Sequence, residues 1–93
     1  MHERFLKRFR DKIRARAYVM TVHAEEEMTE DDFTIYDIER GILTGHILER
    51  QRDSANDESK YRIREKTITR DPIEILAKLS PTGKLVIITV YAP

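Results

Sequence analysis

Leu85-Val86-Ile87-Ile88-Thr89-Val90-Tyr91 is the stretch on which the fold turns, aliphatic or β-branched up to its last residue and free of charge on both alternating sets. A half-wet strand alternates apolar and polar residues. One that is apolar on both faces belongs inside a sheet, so this segment reads as a central strand. Upstream, Ser80-Pro81-Thr82-Gly83-Lys84 reverses the chain, and before that Ile73, Ile75, Ala77 and Leu79 point one way while Glu74, Leu76 and Lys78 point the other. The two segments are expected to pair as a hairpin, preceded by the Asp71-Pro72 turn.

Their register decides which residues share a face, because a slip of one position inverts a strand. With Ser80 opposite Leu85, Ile73, Ile75, Ala77 and Leu79 join Val86, Ile88 and Val90, while Glu74, Leu76 and Lys78 join Ile87, Thr89 and Tyr91. With Pro81-Thr82-Gly83 as a type I turn and Gly83 as a bulge, Ser80 meets Lys84 and Tyr91 moves to the Ile73 side. Burying a continuous aliphatic set stabilises more than a turn preference does, which favours the first register. That register gathers Lys78, Thr89 and Tyr91 on the face away from the helices.

Working outward, Tyr61 to Thr69 sets Tyr61 and Ile63 against Arg62, Arg64 and Lys66, a half-wet and strongly basic strand. His46 to Gln51 reads as the first strand, joined to it through a polar turn at Asp53 to Ser59. N-terminal to His46 the apolar period becomes helical. Thr34 with Asp37 three residues later forms a cap, Ile35, Ile38, Ile42 and Leu43 make one apolar face, and Gly45 ends the helix. Gly41 inside it costs roughly 1 kcal/mol relative to Ala, which argues for close packing against a neighbour or fraying of the last turn.

A short acidic helix starts at Thr21 or His23 and ends near Thr29, with Glu25 to Glu27 close to the positive end of its dipole. Ala17 to Val22 precedes it as a short strand or extended entry. Phe5, Leu6, Phe9 and Ile13 lie on one stripe of a first helix over roughly His2 to Ala17, whose other face is nearly all Arg and Lys. The expected architecture is therefore α+β, with N-terminal helices packed on one face of a small four-stranded antiparallel sheet.

The 93 residues bound one domain with a modest core. The absence of cysteine removes disulfides, thiolate zinc sites and thiol nucleophiles together. His2, His23 and His46 have no spacing that puts two ligands on one helical turn, so no metal site is expected, and no Gly-rich phosphate loop implies a cofactor. No apolar run is long enough for a membrane span or signal peptide, which leads to the expectation of a cytoplasmic protein. The formal charge of zero hides a split: seven cations against Asp11 between Arg4 and Arg16, then six carboxylates and no base from Glu25 to Asp32. The two blocks are candidates to face each other. A basic helix also suits nucleic acid, since each neutralised phosphate releases counterions, although a solvated helix face has the same composition.

The string Tyr18-Val19-Met20-Thr21-Val22-His23-Ala24-Glu25-Glu26-Glu27-Met28 and the ending Val86-Ile87-Ile88-Thr89-Val90-Tyr91, in this order of elements, resemble the bacterial family known as domain of unknown function 4258 over about residues 18 to 91. That family looks like a relative of the RelE-like and MqsR-like toxins, which implies a RelE-like fold, cleavage of messenger RNA and restraint by a cognate antitoxin protein. The chain departs from the family pattern at Glu27 and at Glu30-Asp31, where an arginine after the His-Ala pair and a Glu-Arg pair are expected. Both changes replace a cation by a carboxylate.

Metal-independent RNA cleavage needs a base for the 2′-hydroxyl, an acid for the leaving oxygen and cations around the phosphate. His23 and Tyr91 are the proton-transfer candidates, histidine because it titrates near neutrality and tyrosine as an acid or, beside cations, as a base. Arg62, Arg64 and Lys78 would clamp the phosphate, with Thr89 beside them and Arg50 joining if the first strand lies alongside. Each has a plainer role available: His23 as a backbone-bonded cap, Tyr91 as packing beside an aliphatic strand. The competing expectation is a noncatalytic module of the same fold that binds a partner protein or pairs as a homodimer.

Overall fold

The computed structural model describes residues 2–53 and 58–93, so most of the polar turn expected between Asp53 and Ser59 lies outside the described residues. The elements run α1 (Glu3–Arg14), β1 (Tyr18–Met20), α2 (Val22–Glu30), α3 (Ile35–Thr44), β2 (His46–Asp53), β3 (Glu58–Lys66), β4 (Pro72–Leu79) and β5 (Leu85–Tyr91). The sheet is five-stranded and mixed, in the order β1-β5-β4-β3-β2. This corrects the expected four-stranded antiparallel sheet: the Tyr18–Met20 segment pairs in parallel with the first half of β5, Tyr18 opposite Leu85 and Met20 opposite Ile87. The α+β class and the interior position of β5 stand.

The β4–β5 hairpin uses both competing registers, one in each half. At the turn, Ser80 N–H donates to Lys84 O at 2.8 Å and Gly83 sits at φ +87°, so Leu79 faces Leu85 and Ala77 faces Ile87. One residue, Ile88, is then unmatched. Beyond it Leu76 faces Thr89, Ile75 faces Val90 and Glu74 faces Tyr91. The bulge lets the turn keep its preferred geometry while Leu85, Ile87 and Val90 all reach zero exposure, and it returns Tyr91 to the Glu74 face. Val86 and Ile88, assigned to the core in the continuous register, are left only partly buried.

A second bulge falls in β2, between Ile47 and Glu49. It sets Glu49 opposite Arg62 and Arg50 opposite Tyr61, reversing the facing that uninterrupted alternation would produce.

The core lies between the sheet and the helices α1 and α3. Phe9, Ile38, Ile42, Ile63, Ile73, Ile75 and Ile87 are all fully buried. Gly41 is where α3 meets β4: a Cβ there would stand 2.8 Å from Ile75 Cδ1. The Thr34 cap forms with its reciprocal bond, Asp37 N–H to Thr34 Oγ1 at 3.2 Å and Thr34 N–H to Asp37 Oδ2 at 2.8 Å. Arg10 ties α1 to the end of α3, donating to Ile42 O at 3.1 Å and Gly45 O at 2.9 Å, so one helix supplies a cation to the carbonyl end of the other.

α1 stops at Arg14, short of the expected Ala17, because Arg16 turns to φ +56° and sends the chain into β1. α2 runs along the part of the β5 edge that β1 leaves unpaired. Thr21 caps the helix by accepting from Ala24 N–H at 3.0 Å while its hydroxyl donates to Ile88 O at 2.9 Å. Glu27 accepts from Val90 N–H at 3.3 Å and Asp31 from Ala92 N–H at 3.2 Å. The acidic block is thus engaged with the sheet edge, and no ion pair joins it to α1 among the described residues. No helix of the described residues is long and apolar enough to cross a membrane.

Candidate functional site on the uncovered sheet face

Strand pleating puts Arg62 and Arg64 of β3, Glu74 of β4 and Tyr91 of β5 on the face that α1 and α3 leave uncovered, and the Ile88 bulge is what brings Tyr91 there. Glu74 is the hub. It is 3% exposed, and its Oε1 accepts from the Tyr91 hydroxyl at 2.6 Å and from Arg62 Nη1 at 2.7 Å. Arg64 Nε stands 3.6 Å from Oε2, an ion pair beyond hydrogen-bond reach. Arg62 also donates to Glu49 Oε1 at 3.2 Å, and Gln51 donates to the same oxygen at 2.6 Å.

These contacts set the protonation states. Burial pushes the Glu74 carboxyl up, but the Tyr91 hydroxyl and the Arg62 guanidinium, both donating to it, together hold it below the ordinary carboxylate value. The hydrogen bond to Glu74, reinforced by burial, raises the Tyr91 phenol above its ordinary value, and nearby Arg62 offsets this only in part. Its bonds to Glu74 and Glu49 raise Arg62. Tyr91 is therefore a neutral phenol in this arrangement, able to donate a proton or hydrogen bond and unsuited to act as a base.

The other predicted residues are placed apart from this hub. His23 is in the first turn of α2, two-thirds exposed, with Nε2 3.1 Å from Glu27 Oε1, the oxygen that also receives Val90 N–H. It thus adjoins the β5 edge next to Tyr91, but its bond goes to a different carboxylate. Lys78 shares the uncovered face yet lies four positions along β4 from Glu74, ~13 Å at about 3.3 Å per residue, and is held by Glu58 Oε2 at 2.7 Å. Thr89 faces Leu76 on the uncovered face. Arg50 does not join the cations: the β2 bulge turns it to the helix side, where its Nε donates to Ser59 Oγ at 3.0 Å and its guanidinium lies 5.9 Å from the centre of the Phe5 ring.

The organising carboxylates, Glu74 and Glu49, were not anticipated. Glu74 left a signal, since a lone carboxylate between Ile73 and Ile75 in an otherwise aliphatic strand requires a partner if it is buried. Glu49 left none, because its facing depends on the bulge. Among the described residues no group of three or more His, Cys, Asp or Glu side chains converges as a metal site.

The family model for Domain of unknown function (DUF4258) matches residues 20–92, and the chain belongs to that family. No curated protein and no solved structure matches the chain.

Proposed function

We propose that this member of the family is an RNA-binding domain that holds phosphates with α1 and lacks a self-sufficient nuclease centre on its sheet. The reading rests on a contrast between two cationic surfaces. On α1, Arg4, Lys7 and Arg8 are exposed and have no ion-pair partner among the described residues. On the sheet, Arg62, Arg64 and Lys78 are each matched to a carboxylate, and the anion between Arg62, Arg64 and Tyr91 is the buried Glu74, where a scissile phosphate would have to stand. A buried carboxylate repels an incoming phosphate and has no water-filled place to retreat to. Binding of single-stranded RNA, followed by fluorescence anisotropy over a salt series, tests the proposal. The double variant Arg4→Gln/Lys7→Gln should weaken binding and reduce the log–log salt slope by roughly 0.7 per cation that contacts phosphate. An unchanged slope refutes it.

A second reading, a toxin-like metal-independent endoribonuclease of a toxin–antitoxin pair with a RelE-like fold, is favoured by one observation. Tyr91, Arg62 and Arg64 meet on one uncovered face at the end of β5, beside the edge that carries His23. His23 would then be the base, Tyr91 the acid and Arg64, with its looser pair, the cation that turns to phosphate, and a cognate antitoxin would restrain the activity in the cytoplasm. Incubating the purified domain with messenger RNA separates the two readings. Cleavage abolished by His23→Ala and by Tyr91→Phe, with folding intact, supports the nuclease; binding without cleavage supports the first reading.

A further inference from the structure

Arg50 stands apart from the sheet cations of the uncovered face. Arg62, Arg64 and Lys78 each meet a carboxylate, whereas the bulge between Ile47 and Glu49 turns Arg50 to the helix side, where no carboxylate pairs with it among the described residues. Its side chain is nevertheless held in place. Nε donates to Ser59 Oγ at 3.0 Å and the guanidinium lies 5.9 Å from the centre of the Phe5 ring, which leaves the terminal nitrogens to an anion.

The nearest partner for such a role is on α1. Arg8 and Arg50 line one cleft of about 300 Å³, to which Ser80 and Pro81 of the β4–β5 turn also contribute. Glu58 borders the cleft as well, but its carboxylate is bonded to Lys78 on the uncovered face. One helical turn beyond Arg8, Lys12 reaches the same β4–β5 turn: a Cβ on Gly83 would stand 3.8 Å from its Nζ. Arg8, Lys12 and Lys84 have no ion-pair partner among the described residues. The chain owns as many carboxylates as cations, 17 of each, yet these cations gather around one cleft and one turn with none to neutralise them. Like charges held together repel, and a polyanion laid across them relieves that repulsion.

We propose that the RNA path leaves α1 and crosses to β2, with one backbone phosphate gripped jointly by Arg8 and Arg50 and the strand continuing over the β4–β5 turn past Lys12 and Lys84. This rests on the RNA-binding reading of α1 and adds to it a second element of the fold. The two non-bridging oxygens of a phosphodiester match two guanidinium forks. Arg4, Arg8 and Lys12 recur every four residues, about 6 Å per step along the helix, so one stripe of α1 offers a row of cations to successive phosphates. Arg50 is already ordered by Ser59 and Phe5 and loses less side-chain freedom on binding than a free surface cation does.

Anisotropy titrations of a labelled oligouridine RNA over a salt series, on the full chain, test it. Arg50→Gln and Arg8→Gln should each weaken binding at least fivefold, while Lys66→Gln, an exposed cation on the uncovered face, should change it less than twofold. Because the two arginines share one phosphate, the double variant should lower the log–log salt slope by roughly 0.7 in total, and its loss should fall short of the product of the single losses. Uridine 5′-monophosphate offers one phosphate only and should compete at least a hundredfold more weakly than the oligonucleotide. Affinity unchanged in Arg50→Gln, a loss no greater than in Lys66→Gln, a slope lowered by roughly 1.4 in the double variant, or equal competition by the mononucleotide overturns the proposal. If Arg50→Gln is silent while Arg4→Gln/Lys7→Gln lowers the slope, the crossing to β2 fails and the reading of α1 stands. If the chain does not bind RNA, both fail.

Discussion

Tyr91 and Glu74 stand opposite one another on β5 and β4, and the 2.6 Å bond from the phenol to the carboxylate fixes the protonation state of both. Because the folded carboxyl titrates below its ordinary 4.5, the unfolded chain binds more protons in the interval between the two values, and stability rises with pH there. The contribution is complete above about pH 4.5 and is lost as pH falls through the folded value. Glu74→Gln should flatten this acid limb in urea midpoints measured against pH. Tyr91→Phe, which removes one hydrogen bond to a charged acceptor, should cost ~1.5 kcal/mol at neutral pH.

The alkaline limb has the opposite sign. Burial, and then the 2.6 Å hydrogen bond to Glu39, raise the Tyr18 phenol to about 12 from 10.0. Its contribution is therefore complete below pH 10 and is lost as pH climbs toward 12. In an ultraviolet phenolate titration, the chain's four tyrosines should include two delayed ionisations, those of Tyr18 and Tyr91, and Tyr18→Phe should remove one of them.

Two glycines separate tight packing from backbone collision. A Cβ at Gly41 would press on the tip of Ile75, while one at Gly45 would strike the carbonyl oxygens of Gly41 and Arg64. Gly41→Ala should lose ~1 kcal/mol, since overpacking is partly offset by helix propensity. Gly45→Ala should lose ~3 kcal/mol, because neither carbonyl can rotate away. A reversed order in denaturant midpoints would contradict this placement of α3 against β3.

Tyr61→Phe removes a hydroxyl that is buried without a partner among the described residues. The variant should be more stable than the parent by ~1 kcal/mol. Thermal unfolding checks it, and a loss of stability would show that the oxygen has a structural partner after all.

Glu27→Arg installs the cation that the family pattern leads one to expect and removes the acceptor for Val90 N–H. The end of β5 should loosen, and the Val90 amide should exchange with solvent roughly fivefold faster, corresponding to ~1 kcal/mol for the lost bond. Unchanged exchange would mean that α2 holds the edge through Thr21 and Asp31 alone.

Much of the frame was legible in local pattern. The aliphatic run at Leu85 to Val90 marked the interior strand, Thr34 with Asp37 marked the start of α3, and the stripe of Phe5, Leu6, Phe9 and Ile13 marked the buried side of α1. These features arise from contacts within a few residues, where spacing and capping chemistry are readable from the chain. The parallel partner of β5 was less accessible. The segment Ala17 to Val22 reads as a short strand or extended entry, but its three paired residues, Tyr18 to Met20, carry no sign of where they join the sheet, because their partner lies more than sixty positions away.

The candidate site depended on register, which alternation does not encode across a bulge. Ile88 and Leu48 are unremarkable aliphatic residues in the chain, yet one unmatched position at each decides that Tyr91 meets Glu74, that Glu49 meets Arg62 and that Arg50 faces the helices. Composition established which cations, carboxylates and phenols the domain owns. Long-range strand pairing chose which of them touch, because a shift of one residue moves every later side chain to the opposite face.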